Sequence, residues 1–573
     1  MSNPIESMLA QRISQARGEV PADLVIKNTR IFLLTSGEII EGDIAVCGET
    51  IVGVGETYAG KTEIDGRGLT VVPGFIDSHV HIESSMITPY EFEHCVLPRG
   101  TTTACCDPHE LSNVAGAAAP EYFLAAAADM IMDLRVGLSS CVPATHLETS
   151  GGTLTVEELV ARRDRPHSFG LAEFMNVPGV LFRDPAALAK LAAFYRRHID
   201  GHAPLLGGRD LNAYLAAGIS TCHESSNLDE AREKLRKGMI VLIREGTVAR
   251  NLDALAPLLT VATSPFVCFC TDDRNPLDIA EHGHVDYLIR RAIELGVPPL
   301  AAYRAASYSA ARAFGLRDRG LVAPGYRADL VLLRNLERCE VAGVICAGKA
   351  VDDTLFAARP PAPDPGAFRK SLKLSPVKPE VFRVFSSREK TPVIEIVPLS
   401  LLTNKLELEL PRGKGGEKFG DPAQDVAKVA VLERYGKNGN VGRGFVRGFG
   451  LRSGAIASSV GHDSHNICVV GDNDADMALA VNALIAADGG FAVAGGGRVI
   501  DVLPLPVGGL ISDRPFAEVE THLRRIRRAV KLIGCELEEP FLQLAFLPLP
   551  VIPALRITDL GVVDVEKFSV IEV

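Results

Sequence analysis

Residues 71–271 repeat one pattern, a short apolar run followed by a helix-patterned stretch, and this repetition constrains the fold more than any other feature of the chain. The runs fall at 71–81, 102–106, 135–142, 170–175, 199–202, 220–223, 239–243 and 267–271, and helical periodicity lies between them, as at 186–197 and 229–237. Eight strand–helix units within about 250 residues have the size and rhythm of a (β/α)8 barrel. An open doubly wound sheet is the alternative.

The ends of these runs carry chemistry. His79 and His81 lie two apart at the end of the first run, so strand alternation aims both imidazoles the same way. A divalent ion needs such a pair on one side. Glu173 sits near the end of an apolar run, where an unpaired charge is costly. His202 and His223 close the fifth and sixth runs. Asp272 ends the eighth, with Asp273 next to it as the alternative acid. Taken singly, each is an ordinary rim histidine or strand-end acid. Together they predict a metal site. Barrel strands end around one rim, so a cluster fed by so many strand ends favours closure over an open sheet.

The barrel is expected over 73–321. Residues 22–58 read as short strands divided by Gly and polar turns, and 325–349 repeats that texture. The segments 1–72 and 322–357 are therefore expected to form one small β-sandwich flanking the barrel. A Pro-rich linker at 358–366 leads to an α+β domain over 366–573, with helices expected at 474–487 and 517–532. The chain has 573 residues, 47 % hydrophobic and 23 % charged, with a net charge of −11. That composition suits a several-domain globular protein and argues against nucleic acid as a partner. Neither a membrane span nor a signal-peptide core is read in it, so no membrane partner is expected. Twelve cysteines without a CxxC pattern read as reduced thiols in the cytoplasm.

Seven segments carry a resemblance: 73–86 (PGFIDSHVHIESSM), 98–110 (PRGTTTACCDPHE), 170–180 (GLAEFMNVPGV), 200–204 (DGHAP), 222–225 (CHES), 270–276 (CTDDRNP) and 460–466 (VGHDSHN). The chain resembles the metal-dependent amidohydrolase superfamily, and within it the bacterial adenine deaminases, from about residue 20 to the C-terminus. Glu173 stands where many members carry a carbamylated lysine. Leu205 stands where many nucleobase deaminases carry a glutamate, so the usual proton shuttle to the ring is missing.

The resemblance implies a binuclear centre of Mn²⁺ or Fe²⁺, with Zn²⁺ also fitting the donors. His79, His81 and Asp272 would hold one ion, His202 and His223 the other, and Glu173 would bridge. Asp272 would carry the proton from the attacking water to the leaving amine. Candidates for the ring nitrogen's partner are Glu224 and the pair His109 and Glu110. Ser84, Asp463 and His465 are further substrate-contact candidates, the last two in a loop that either closes the barrel mouth or is a plain polar turn. Glu83 reads as an orienter of the histidines or a surface acid. The implied reaction is hydrolysis of adenine to hypoxanthine and ammonia, a purine-salvage step, by a cytoplasmic homodimer. A cyclic-amide hydrolase of the same superfamily is the alternative activity, and a non-catalytic metal-binding scaffold the alternative of another class.

Overall fold

The structure is a computed structural model that describes residues 3–573. Its middle holds eight parallel strands: β1 Phe75–Val80, β2 Thr101–Cys106, β3 Asp133–Leu138, β4 Ser168–Phe174, β5 His198–Gly201, β6 Thr221–Cys222, β7 Ile240–Arg244 and β8 Val267–Cys270. Neighbours pair in order from β1 to β5 and from β6 to β8. Two seams join the halves into a ring. Ser220 N donates to Ile199 O at 3.1 Å, beside β5 and β6. Asp272 N donates to His79 O at 2.9 Å and His81 N to Asp272 O at 3.1 Å, closing β8 onto β1. Strands such as β2 and β8 are buried along their whole length, as parallel strands covered on both faces must be. Side-chain caps start the intervening helices: Asp184 accepts from Ala186 N and Ala187 N, and Asn227 from Glu230 N.

Several of the expected runs are shorter than their hydrophobicity suggests, two of them for visible reasons. The first divides at Gly74. Thr70–Pro73 joins the flanking sheet and β1 begins at Phe75. A Cβ at Gly74 would lie 2.2 Å from Thr102 Oγ1, so only glycine passes between the two sheets. The third run stops at Leu138 because Ser139 and Ser140 turn their hydroxyls to Asp107 Oδ1 and Glu173 O, each at 2.5 Å.

The two flanking segments hydrogen-bond into one sheet, with Leu330–Asn335 antiparallel to Thr70–Pro73. The expected sandwich is drawn as a single branched sheet. Ala22–Phe32 takes Gly60–Asp65 along one half and Thr70–Pro73 along the other, so the long strand serves two partners on the same edge.

Beyond the linker an eight-stranded sheet packs the helix Asp474–Ala487 on one face, through Met477, Val481 and Leu484. The helix Phe516–Leu532 buries Leu523 and Ile526 in a core shared with the barrel residues Leu111 and Phe123. The run 491–505 is a hairpin of Gly490–Gly495 and Arg498–Pro504 turning at Gly496 and Gly497, both with positive φ. The loop 459–466 joins the antiparallel strands Ala455–Ser458 and Ile467–Gly471 and lies against the barrel mouth. No helix among the described residues is long and apolar enough to cross a membrane.

Candidate metal centre

At the C-terminal rim of the barrel, buried side chains converge on the Glu173 carboxylate. His81 Nε2 lies 3.3 Å and His109 Nδ1 3.4 Å from Oε1. His202 Nδ1 lies 2.7 Å and His223 Nε2 3.4 Å from Oε2. His81 Nε2 is also 3.3 Å from both His79 Nε2 and Asp272 Oδ1. An ion with bonds near 2.1 Å in tetrahedral geometry spaces its ligands about 3.4 Å apart. The donor atoms are thus already at the separations of ligands around shared ions. Two of the ligand-type groups are His79, His81, Asp272 and Glu173, His202, His223. One carboxylate oxygen faces each side, the disposition of a bridging ligand.

The histidines are oriented from behind. Asp200 Oδ2 lies 2.8 Å from His79 Nδ1, and the Asp107 carbonyl 2.9 Å from His81 Nδ1, which turns both Nε2 atoms toward the centre. Asp200 is itself fixed by Thr221 Oγ1 at 2.5 Å and by the Gly201 amide at 2.9 Å. Arg244, at the end of β7, donates through Nη1 to Asp272 Oδ2 at 2.9 Å and through both Nη atoms to Glu224, with Nη2 3.0 Å from Oε2. Sequence reasoning assigned no role to Asp200 or Arg244. Arg244 was detectable, because it places a charge at the end of an apolar run as Glu173 does. Asp272 adopts φ 54°, a left-handed backbone held by its two bonds to β1.

Burial raises the cost of every charge in this cluster, and neighbours of opposite sign decide the outcome. Burial would push the Glu173 carboxyl up, but hydrogen bonds from His109, His202, His223 and His81 hold it well below the usual range. Burial acts likewise on Asp272, where His81 and Arg244 prevail and keep it ionised. Burial would lower His81, yet bonds to Asp272 and Glu173 raise it well above an ordinary imidazole. Carboxylates that retain their charge among several imidazoles are a donor set suited to cations.

Contacts place four further candidates. Glu224 lines the cavity and is clamped by Arg244, whose charge outweighs burial and holds the carboxyl well below its usual range. His465 does not line the cavity over the cluster. Its Nδ1 accepts from Gly461 N at 3.1 Å and its Nε2 meets Glu110, which makes it a brace of the loop. Ser84 donates to Asp273 Oδ1 at 2.5 Å and lines the chamber next to the cluster. Glu83 touches neither histidine and is no surface acid: it is buried and accepts from Leu111 N at 3.1 Å. His109, Glu110 and Asp463 do line the cavity, joined by His462, Phe546 and Ile552 from the C-terminal region.

The loop is pinned to the barrel by charge. His462 Nδ1 lies 2.9 Å from Glu110 Oε1. Burial lowers both loop histidines, but the Glu110 carboxylate raises His462 to about 9, while His465 is left at about 4. One carboxylate holds one imidazolium, and His465 stays neutral. Because the folded value of His462 exceeds its ordinary 6.5, the pair's contribution is complete below pH 6.5 and is lost as pH rises through about 9. Across that window the melting temperature of the wild type should fall faster than that of His462→Gln. Parallel slopes would remove this ion pair from the loop's anchoring.

Residues 70–351 match the amidohydrolase family, and residues 400–569 match the adenine deaminase C-terminal domain. A protein of Gluconobacter oxydans (strain 621H) named adenine deaminase is 60 % identical over 99 % of this chain and 100 % of its own length. One of that name from Methylobacterium nodulans is 60 % identical over 98 % of this chain and 99 % of its own. A third, from Brucella suis biovar 1, is 57 % identical over 98 % of this chain and 97 % of its own.

Proposed function

The chain belongs to the adenine deaminase family of amidohydrolases, and from that premise we propose that it hydrolyses adenine to hypoxanthine and ammonia at the cluster centred on Glu173. The observation that carries the reading is the Glu173 carboxylate, with one oxygen toward His81 and the other toward His202 and His223. His79, His81 and Asp272 would hold one divalent ion, His202 and His223 the second, and Glu173 would bridge them. When bound, such ions supply the Lewis acidity that makes water a nucleophile near neutral pH. Mn²⁺ and Fe²⁺ suit these mixed nitrogen and oxygen donors, and Zn²⁺ fits them as well.

Asp272 performs the proton transfer in this reading. Arg244 fixes its Oδ2, and Oδ1 faces the histidines. It would take a proton from the attacking water and pass it to the departing amine. His109, His462 and Asp463 line the cavity above the cluster and would orient the amino-bearing edge of the ring, while the loop 459–466, held by Glu110, would exclude bulk water. Within this reading the barrel over 73–321 holds the centre, the sheet of 1–72 with 322–357 frames it, and 366–573 supplies the cover. Free, mostly buried cysteines support a reducing, cytoplasmic setting, and a homodimer is the assembly to be checked by sedimentation.

Ammonia release by the metal-loaded protein, measured across purines and cyclic amides, tests the activity. Adenine should be the preferred substrate, with hypoxanthine formed mole for mole. Turnover of a cyclic amide with none of adenine would overturn the reading.

A further inference from the structure

Glu83 occupies the short turn Ile82–Ser85 that follows β1, and it is 3 % exposed. Its Oε1 is used, accepting from Leu111 N at 3.1 Å. Its Oε2 is buried and has no hydrogen-bond partner. A buried carboxyl oxygen left unpaired costs stability that evolution rarely leaves uncompensated, unless a ligand completes it.

Glu83 lies on the wall of a cavity between the turn after β1 and the C-terminal region. Its faces are apolar: Met86, Leu523 and Phe541, with Phe541 stacked on Phe491 at 4.4 Å between ring centroids and 8° between planes. Its polar lining is formed by Glu83, Ser84, Asp273 and Asn275, with Thr247, His462 and the Arg527–Glu539 pair. Apolar walls with a hydrogen-bonding edge match a flat heterocycle, whose faces are greasy and whose rim carries donors and acceptors.

This chamber adjoins the one over the cluster. Asp273 and His462 line both. Asp272 faces the imidazoles while Asp273, the next residue, faces the chamber and accepts from Ser84, so one strand end serves both spaces. Asp107, Glu148 and Asp278 also have an unpartnered oxygen, but none of them lines this chamber. Glu224 is held by Arg244, and Glu110 by His462 and His465. Asp463 has an unpartnered oxygen of its own, but it faces the cluster's chamber from the loop.

We propose that this chamber seats the imidazole edge of the purine and that Glu83 Oε2 accepts a hydrogen bond from its ring N–H, making Glu83 a specificity-determining residue. The inference rests on the reading of the protein as one that acts on adenine. It assigns to the turn after β1 the task of recognising the base, while the histidines of β1 serve the metals.

The test compares affinities of metal-loaded, full-length protein for adenine and for its 7- and 9-deaza analogues, each lacking one of the nitrogens that can carry the ring N–H. Glu83→Gln keeps an oxygen for the Leu111 amide but changes the group that faces the chamber; Glu83→Leu removes both. The wild type should bind at least one analogue about tenfold or more weakly than adenine, the worth of a hydrogen bond to a carboxyl group. In Glu83→Gln that one gap should close to within about threefold because adenine itself binds less well, with metal content and melting temperature unchanged. A residue that only caps Leu111 would leave every gap as it was, and unchanged gaps in Glu83→Gln overturn the inference even if Glu83→Leu fails to fold. Leu523→Trp, which fills the chamber, should raise KM for adenine by about tenfold or more at constant metal content; an unchanged KM would place the ring elsewhere. Wild-type adenine turnover separates the two claims. If it is present and the gaps do not move, only the role of Glu83 falls; if it is absent, the adenine reading fails and takes this inference with it.

Discussion

Asp272→Asn should retain most of its metal and lose catalysis by a factor of about 10² to 10⁴, the usual worth of a positioned acid–base group. The side chain is anchored on both sides, with Oδ1 3.3 Å from His81 Nε2 and Oδ2 2.9 Å from Arg244 Nη1. An amide keeps much of that geometry, since its oxygen still accepts and its size is unchanged. It does not take up and release a proton near neutral pH. The control is Asp273→Asn, whose carboxylate accepts from Ser84 and faces the neighbouring chamber. Steady-state turnover and metal content of the two variants distinguish the roles. Near-normal turnover in Asp272→Asn, with Asp273→Asn inactive, would assign the proton transfer to the wrong acid.

Glu173→Ala should lose metal and activity together. Among the described residues, this carboxylate alone meets His81, His109, His202 and His223 at once. Without it, two divalent ions would face each other across a short gap with no negative charge between them, and their repulsion grows steeply in a buried site. The loss is expected to exceed that of Asp272→Asn, because the nucleophile disappears along with the ions. Retention of two ions and full turnover in Glu173→Ala would return this residue to the status of a strand-end acid.

The ligand-type residues were legible because each ends a strand-like run, and strand alternation carries orientation as well as position. His79 and His81, two apart, do meet at 3.3 Å. Long-range partners were not legible. Asp200 supports His79 across 121 residues of sequence, and Arg244 reaches Asp272 across 28. Neither contact has a local signature beyond a charge beside an apolar run. The role of Glu83 was misplaced for a related reason. Its spacing from His81 suggested a shared face, but the chain leaves β1 at Val80 and turns, which sends the carboxyl to Leu111. His465 was offered as a substrate contact on the resemblance of the 460–466 segment, and the loop uses it internally, between Gly461 and Glu110. The boundary at Gly74 was hidden by continuous hydrophobicity on both sides, since a run that passes from one sheet to another has no polar residue to mark the change.

The central claim is that this buried cluster holds two divalent ions that serve adenine hydrolysis. Titration of metal-stripped protein with Mn²⁺, following hypoxanthine formation and bound metal in the same samples, tests it most directly. Activity should rise with occupancy and reach its plateau close to two ions per chain. Full adenine turnover in the stripped protein, or a fully reconstituted protein that binds no metal, would contradict the account.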